Sequence, residues 1–348
     1  MLSKARNLLG DLSDPAKNVG PIDVRGEEPA QLLRDLRMML LIRRAEEKIG
    51  DLVSEGKAHC PCHLGIGEEA IAVGVSRHLR NSDRVFGAHR SHSHYLALGG
   101  ELGGLMAEVL GKASGCSGGM GGSMHLVARS KGFLGSVPIV AGTIALAVGA
   151  GLAAKKDRKG DVGVVYFGDG AAEEGALHES LNFASAYEIP VLFICENNFF
   201  SSHMHIDLRQ PANSMARFAR AHEIPSEVVD GNDVVAVGRT TQKLLARARA
   251  GVGPGFLETV TYRWRGHVGP REDVDVGVKR KDDLAGWKRR DPIRRLMDAL
   301  RVATILTDGD WKRMQREVQT IVDTECVRAI EAPYPGLEAT LNLVYAQS

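Results

Sequence analysis

The segment VVYFGDGAAEEGALHESLNFASAYEIPVLFICENN, residues 164–198, decides the fold of this chain. It opens with an apolar run typical of a buried strand, continues with helical character over residues 173–187, and ends in a second apolar run, VLFIC. A right-handed crossover through one helix makes the two strands parallel, so both end at the same edge of one sheet. Asp169 follows the first strand, and Asn197 and Asn198 follow the second. We therefore expect these side chains to lie close together.

Strands and helices continue to alternate on both sides of this segment. The small-residue helix GTIALAVGAGLAAKK precedes it, and the strand, turn and helix of SEVVDGNDVVAVGRTTQKLLARARA and the strand GFLETVTYRW follow it. This alternation predicts an α/β fold in which helices cover both faces of a parallel sheet. Helix-period apolar residues over 29–55 and a helical pattern after residue 287 predict helical additions at both ends.

The sequence divides into two parts. Residues 1–27 are polar and contain Pro15, Gly20 and Pro21, so we expect a loosely held N-terminal extension. Residues 28–348 are expected to form one domain with a helical C-terminal region. Within that domain GKASGCSGGMGGSMHL, residues 111–126, is too rich in glycine for a helix or a strand. It indicates either a loop shaped for a purpose or a mobile one.

Composition excludes several classes of function. The 348 residues carry a net charge of +1 and contain no run of about 18 apolar residues, which predicts no nucleic-acid partner and no membrane association. No secretory signal is visible and the five cysteines are scattered, so we expect a cytoplasmic protein with reduced thiols. The CPCH motif at residues 60–63 has no second ligand pair at a usable spacing, and we expect a structural role for it.

The residues at the two strand ends are suited to a metal–diphosphate site. One carboxylate and one amide oxygen are too few for an all-protein cage, but they suit Mg²⁺ that shares phosphate oxygens and water. Gly168 and Gly170 allow backbone N–H groups to approach a phosphate, and the helix N-terminus that follows favours the anion. The alternative is that Asp169 caps the helix and the two asparagines are turn residues. Their position on adjacent parallel strands favours the metal–diphosphate site.

Several further motifs follow one another along the chain. They are LIRRAEEKIGDLVSEGKAHCPCHLGIGEEAIAVG, GGMGGSMHL, PIVAGTIALAVGAGLA, VDGNDVVAV and YRWRGHVGP. With the Gly-Asp-Gly and Asn-Asn pair, this chain resembles the alpha subunits of thiamine diphosphate-dependent 2-oxo acid dehydrogenases, which include the pyruvate, acetoin and branched-chain types. The resemblance implies the thiamine diphosphate-binding fold, and it implies thiamine diphosphate and Mg²⁺ as cofactors.

The resemblance also implies roles for individual residues. Mg²⁺ would be bound by the side chains of Asp169 and Asn198 and by the main-chain carbonyl of Phe200, where the family usually has tyrosine. The remaining cofactor contacts would come from His89, Arg90, Val140, Gly170, Ala171 and His267.

Histidines are expected to carry out proton transfer, and they also account for the main departures from the family pattern. His63 and His267 match positions beside the reactive part of the cofactor, where histidine moves protons near neutral pH. His89 stands where the family usually has tyrosine, and a neutral imidazole can replace the phenol as a hydrogen-bond donor. His203 and His205 lie in a segment that departs from the family pattern. They are either ordinary loop residues or residues that shape the substrate pocket.

The chain is expected to hold only half of an active site. The resemblance places the pyrimidine-binding domain and its glutamate on a beta subunit, in an α2β2 heterotetramer, with a lipoyl acyltransferase as a further partner. The implied function is cleavage of a 2-oxo acid or an acyloin and transfer of the acyl unit to a lipoyl acceptor. The alternative is a carboligase of the transketolase kind that works without a lipoyl partner. The sequence leaves the substrate open.

Overall fold

A single parallel sheet of six strands organises the computed structural model, which describes residues 5–274 and 280–342. The strands in chain order are β1 (Arg84–Gly87), β2 (Phe133–Ser136), β3 (Gly163–Gly168), β4 (Val191–Asn197), β5 (Phe200–Ser201), β6 (Met204–His205), β7 (Ser226–Asp230) and β8 (Gly255–Val260). The sheet order is β2-β1-β3-β4-β8-β7, and β5 and β6 form a separate antiparallel pair. The predicted α/β class with a parallel sheet is confirmed.

The order of the strands creates a crevice at one edge of the sheet. The strands β1 and β3 are neighbours, but the chain leaves β1 towards β2 on one side and leaves β3 towards β4 on the other. The connections after β1 and after β3 therefore diverge. In open parallel sheets such a switch point is where ligands bind, just beyond the carboxyl ends of the strands.

Helices cover both faces of the sheet. They are α1 (Pro29–Ser54), α2 (Glu69–Ser76), α3 (His92–Ala97), α4 (Leu102–Val109), α5 (Gly142–Asp157), α6 (Gly175–Ala186), α7 (Ala216–Ala221), α8 (Val234–Arg249), α9 (Arg280–Lys288), α10 (Pro292–Val302), α11 (Asp308–Glu331) and α12 (Ala339–Asn342). Within residues 5–274 and 280–342, no helix carries an apolar stretch of the length that a bilayer span requires.

Alternate residues of each central strand belong to two separate apolar cores. Val164 and Tyr166 of β3 pack into the core formed with α1, α2, α4, α8, α10 and α11. Val165 and Phe167 pack into the other core, with α5, α6 and α7. Because both faces are buried, the strands are apolar throughout instead of alternating apolar and polar residues. This explains the continuous runs VVYF and VLFIC.

Most predicted elements occur, with shifted boundaries. The helix expected over residues 29–55 is α1. The helix expected over residues 173–187 begins as a 3₁₀ turn, Ala171–Glu173, and becomes α-helical only at Gly175. The strand β8 ends at Val260, so TYRW lies beyond it. The edge strand β2 was not predicted, because its four residues contain a glycine and carry no clear period.

Residues 5–27 are anchored to the domain, although the sequence predicts a loosely held extension. Arg6 forms an isolated parallel bridge with Ala212, and its N–H donates to the carbonyl of Pro211 at 2.9 Å. Ala5, Leu9 and Ile22 are buried. The polar composition concealed these apolar anchors, because they are widely spaced along the described part of the extension.

The glycine-rich loop is ordered around one buried carboxylate. Glu108, at the end of α4, is fully buried and accepts hydrogen bonds from the N–H groups of Ser117, Gly119, Gly121 and Gly122 at 2.7–3.0 Å. The φ of Gly119 is 78°, and a Cβ there would lie 2.6 Å from the carbonyl oxygen of Lys112. The loop therefore needs glycine for close backbone packing around the acid. It is shaped rather than mobile.

Replacement of this carboxylate is the first prediction. Glu108→Gln keeps the side-chain volume but presents an amide NH₂ to backbone donors, so at least two N–H groups lose their acceptor. We expect the free energy of unfolding to fall by about 3 kcal/mol, measured by urea denaturation. The matched control, Glu101→Gln, changes an exposed side chain and should alter the free energy of unfolding by no more than about 0.5 kcal/mol. Equal stability of the two variants would contradict this account of the loop.

Candidate active site

The predicted site residues gather around one cavity at the switch point. All of them except His63 line it: His89 and Arg90 after β1, Val140 before α5, Asp169, Gly170 and Ala171 after β3, Asn198 and Phe200 after β4, and His267 after β8. His63 lies directly behind this lining, with its ring centroid 4.7 Å from that of His89 and 4.9 Å from that of His267.

Asp169 presents a free carboxylate oxygen in a buried position. Its side chain is 1% exposed, and Oδ2 accepts a hydrogen bond from Arg209, which also pairs with Glu173. In the part of the chain that the structure describes, Oδ1 has no hydrogen-bond partner. A buried, unpartnered carboxylate oxygen is costly unless a cation or a donor satisfies it.

The two adjacent asparagines have different environments. The Nδ2 of Asn197 donates to Glu258 Oε1 at 2.7 Å and to the carbonyl of Asn213 at 2.9 Å, away from the cavity lining. Asn198 lines the cavity, and its Nδ2 donates to Glu68 Oε1 at 3.1 Å. One asparagine therefore holds the fold, and the other faces the site.

The chain turns sharply at Phe199, between Asn198 and Phe200. Phe199 has a φ of 70°, a left-handed conformation that is rare for a bulky residue. Just beyond it, the Phe200 ring packs edge-on against Tyr262 and His205, inside the core. The side chain is therefore committed to packing, which is why phenylalanine serves here as well as tyrosine.

Gly170 permits a close approach of two backbone segments at the cavity wall. A Cβ on Gly170 would lie 2.5 Å from the Oγ of Ser201 and 2.8 Å from its Cβ. A larger residue would push the Ser201 segment outwards and open the wall. The cavity also contains the residues that immediately precede α5, whose N-terminus carries partial positive charge.

Arg90 is held in place by backbone oxygens. Its Nη1 donates to the carbonyl of Leu64 at 2.6 Å and its Nη2 donates to that of His267 at 3.4 Å. The Nε lies 3.8 Å from Glu68 Oε2. These contacts fix the plane of the guanidinium group at the cavity and leave its charge only partly compensated.

Three further charged residues line the cavity and were missed by sequence reasoning: Glu68, Glu196 and Arg263. Burial raises the pKa of Glu68 to about 7, although Arg90 acts against that rise. Burial, reinforced by Arg90, lowers the pKa of Arg263 to about 9. Glu68 lies in the motif GIGEEA, shortly after His63, and Arg263 lies in the motif YRWRGH, shortly before His267. Their closeness in sequence to two predicted site residues is the signal that could have identified them.

Three neutral imidazoles form a cluster at one end of the cavity. Burial, followed by the charge of Arg90, lowers the pKa of His63 to about 3, of His89 to about 2 and of His267 to about 4. All three rings are therefore uncharged at pH 7. Each neutral ring offers one N–H donor and one acceptor nitrogen for hydrogen bonds.

The other two histidines of interest lie at different distances from this cluster. The ring centroid of His203 is 6.1 Å from that of His267, and its Nε2 contacts Asp273 at 3.2 Å. The same Asp273 accepts the backbone N–H of His267 at 2.7 Å. His205 instead packs against Phe199 and Phe200, and its Nδ1 accepts the N–H of Asp207.

Comparison with known proteins agrees with this architecture, which is that of a cofactor-binding α/β enzyme subunit. The family model described as the dehydrogenase E1 component matches residues 37–338. The alpha subunit of acetoin:2,6-dichlorophenolindophenol oxidoreductase from Bacillus subtilis (strain 168) is 36% identical over 311 residues, 88% of this chain and 91% of that relative. The pyruvate dehydrogenase E1 component subunit alpha from Rhizobium meliloti (strain 1021) is 36% identical over 306 residues, 88% of this chain and 87% of that relative.

These matches show the family. The chain belongs to the dehydrogenase E1 component family, and its recognition as an alpha subunit of a thiamine diphosphate-dependent 2-oxo acid dehydrogenase is confirmed.

A stability measurement separates the two asparagines. Asn197→Ala removes two donors from buried acceptors, one of them the carboxylate of Glu258, so the free energy of unfolding should fall by about 3 kcal/mol in urea denaturation. Asn182→Ala, an exposed site on α6, is the control and should change it by less than about 0.5 kcal/mol. A stability of Asn197→Ala equal to that of the control would refute the structural role of Asn197.

The imidazole cluster should make stability depend on pH. In the unfolded chain histidine takes up a proton near pH 6.5, whereas His89 in the folded chain does so only near pH 2. Protons therefore favour the unfolded state as pH falls below 6.5, and the stability present above that pH is progressively lost. Replacing His89 by phenylalanine should reduce the fall in unfolding free energy between pH 7 and pH 5 by about 1 kcal/mol, allowing for solvent screening. Denaturation curves at the two pH values for both proteins make the comparison, and identical pH dependence would contradict it.

Proposed function

We propose that this chain is the alpha subunit of a thiamine diphosphate- and Mg²⁺-dependent dehydrogenase that cleaves a 2-oxo acid or an acyloin and passes the acyl unit to a lipoyl acceptor. The observation that carries the proposal is the convergence of Asp169, Asn198 and Arg90 on one cavity at the switch point. An acid, an amide and a fixed guanidinium group at this edge of the sheet are what a metal-bound diphosphate requires.

The residues at the cavity fit the metal. The unpartnered Oδ1 of Asp169 supplies a carboxylate ligand, and the Oδ1 of Asn198 supplies an amide oxygen. We assign the carbonyl of Phe200 as the third protein ligand. Such a set leaves positions for phosphate oxygens and water, as Mg²⁺ prefers. Glu68 holds the amide of Asn198 by its Nδ2, so the orientation of this ligand is set before the metal arrives.

The diphosphate would be held by fixed donors. Arg90 offers a guanidinium group whose plane is set by Leu64 and His267. Gly170 and Ala171 offer backbone N–H groups at a wall that only glycine permits at residue 170. We assign His89 a donor role beside Arg90 and Val140 a main-chain contact to the cofactor ring. Anions at such N–H groups gain from the nearby helix N-terminus.

The chemistry divides between the cofactor and two histidines. Thiamine diphosphate, when bound, supplies the nucleophilic carbon and the electron sink for cleavage next to a carbonyl group. His63 and His267 hold or move a proton at their ring nitrogens, and their burial keeps both rings neutral until a proton is delivered.

The open side of the cavity supports a partner chain. Ile139 and Val140 line the cavity with 71% and 55% of their surfaces exposed, and Leu146 on the adjacent helix α5 is 55% exposed. Apolar residues at the mouth of a site are typical of a surface that another chain covers. We assign that chain as a beta subunit that supplies the pyrimidine-binding domain and its glutamate, in an α2β2 heterotetramer. Two relatives are themselves named as alpha subunits. A lipoyl acyltransferase partner and a cytoplasmic location stay predictions.

Cofactor binding tests the proposal. The chain would be purified with its neighbouring beta-type chain and titrated with thiamine diphosphate and Mg²⁺ by calorimetry. We expect Asp169→Ala to weaken binding by about 100-fold or more, because a charged ligand is lost. Asp298→Asn, at a surface acid on α10, should bind as the unsubstituted protein does. Failure of the unsubstituted complex to bind cofactor would overturn the metal–diphosphate site.

The reaction is tested next with an artificial electron acceptor. Pyruvate, acetoin and branched 2-oxo acids would be supplied to the complex with 2,6-dichlorophenolindophenol. Reduction of the dye with one of them supports the dehydrogenase and names the substrate. Binding of cofactor without reduction on any substrate would favour the carboligase instead.

A further inference from the structure

Three histidines from distant parts of the chain meet at one end of the cavity. His63 lies between α1 and α2, His89 follows β1, and His267 follows β8. Their ring centroids lie 4.7, 4.9 and 5.5 Å apart, and one ring nitrogen of each lies within 4.8 Å of one on each of the others. We propose that His63, His89 and His267 form a second metal site, which binds a borderline divalent cation such as Zn²⁺.

The donor set selects against the metal expected at the other end of the cavity. Mg²⁺ prefers oxygen ligands, as Asp169 and Asn198 offer, whereas imidazole nitrogen suits Zn²⁺ and its first-row neighbours. Three imidazoles with a fourth position left open are a known arrangement for Zn²⁺ at reactive sites. Nitrogens around a tetrahedral Zn²⁺ lie about 3.3 Å apart, given bonds of about 2.0 Å. Side-chain rotations that bring the rings together by roughly 1.5 Å therefore complete the site.

The ring nitrogens are available to a metal. In the described ranges, Nδ1 of His63 and Nδ1 of His267 are buried and have no hydrogen-bond partner. Unpartnered buried nitrogens in a native site call for a ligand, and a bound cation would provide one.

Neighbouring charges limit the affinity without abolishing it. Arg90 and Arg263 lie close enough to influence the cluster and oppose a second cation. Glu68 lies 3.8 Å from Arg90, and Asp273 accepts the backbone N–H of His267, so two carboxylates offset part of that positive charge. The site should therefore bind Zn²⁺ less tightly than a structural site with thiolate ligands.

Occupation of this site would regulate the chain. A bound Zn²⁺ takes the lone pairs of His63 and His267, and it removes these rings from proton transfer. Zinc would thus inhibit turnover, a consequence that rests on the proposed function. Binding itself does not, because it depends only on the three imidazoles.

Metal binding to the full chain tests the site directly. Purified protein at pH 7.5 would be titrated with Zn²⁺ against a chromophoric chelator, and with Co²⁺, whose visible absorption reports low-coordinate nitrogen ligation. We expect one equivalent to bind. His89→Phe should weaken Zn²⁺ binding by about tenfold or more and abolish the Co²⁺ band, because one of three ligands is lost. The control His178→Phe changes a histidine on α6 that packs against Phe218, outside the cluster, and should leave both readouts unchanged.

Two more variants exclude other sites and misfolding. His267→Gln provides a second ligand deletion should His89→Phe fold poorly by circular dichroism. Asp169→Asn should retain Zn²⁺ binding, which separates this site from the Mg²⁺ site and from the fate of the proposed function. Absence of stoichiometric Zn²⁺ binding would overturn the proposal. Unchanged binding in both cluster variants, or its loss in Cys60→Ser instead, would overturn it too by placing the metal elsewhere.

Discussion

The parallel pairing of β3 with β4 is the constraint on which the site depends. Its register runs from Gly163 opposite Val191 to Gly168 opposite Glu196 without a bulge. Asp169 and Asn198 therefore emerge within two residues of one pair, at the same edge of the sheet. A slip of one residue would send every side chain of a strand to the other face and would exchange Asn197 for Asn198 at the cavity. Val164 and Tyr166 pack into one core and Val165 and Phe167 into the other, so such a slip would require both close-packed cores to be repacked.

The cavity is lined by buried groups of both charges and by neutral imidazoles. Arg90 and Arg263 are buried cations, Glu68 is a buried acid with a raised pKa, and the imidazoles beside them are kept neutral. The raised pKa of Glu68 and the neutral state of the imidazoles both follow from the removal of water, which penalises charge on acids and bases alike. A ligand that is both anionic and metal-bound would satisfy the arginines and the free carboxylate oxygen at once. The charges that line the cavity therefore favour an anionic ligand over a neutral molecule.

Sequence reasoning succeeded where local pattern and strand order agree. The alternation of strands and helices, the placement of Asp169 and Asn198 at one edge, and the long helix α1 all follow from apolar periodicity and the handedness of the crossover. It failed where long-range contacts decide. The bridge between Arg6 and Ala212 joins segments far apart in the chain, and Glu108 organises its loop by bonds to backbone groups that no side-chain pattern reveals. The family resemblance implies that His63, His89 and His267 lie beside the cofactor, but the direct contacts among their rings are visible only in the fold.

Glu258 makes the site depend on β8, a strand that lies next to β4 in the sheet but far from it along the chain. This buried acid of β8 accepts hydrogen bonds from Asn197, from the hydroxyl of Ser214 and from the N–H groups of Met215 and Ala216. It ties the end of β4 to the start of α7, immediately before the turn that aims Asn198 at the cavity. In a mutational scan scored by activity, position 258 would consequently rank with the residues that line the cavity although it is not one of them. The function of this chain therefore depends partly on residues that do not line the cavity and that only keep its strands and loops in position.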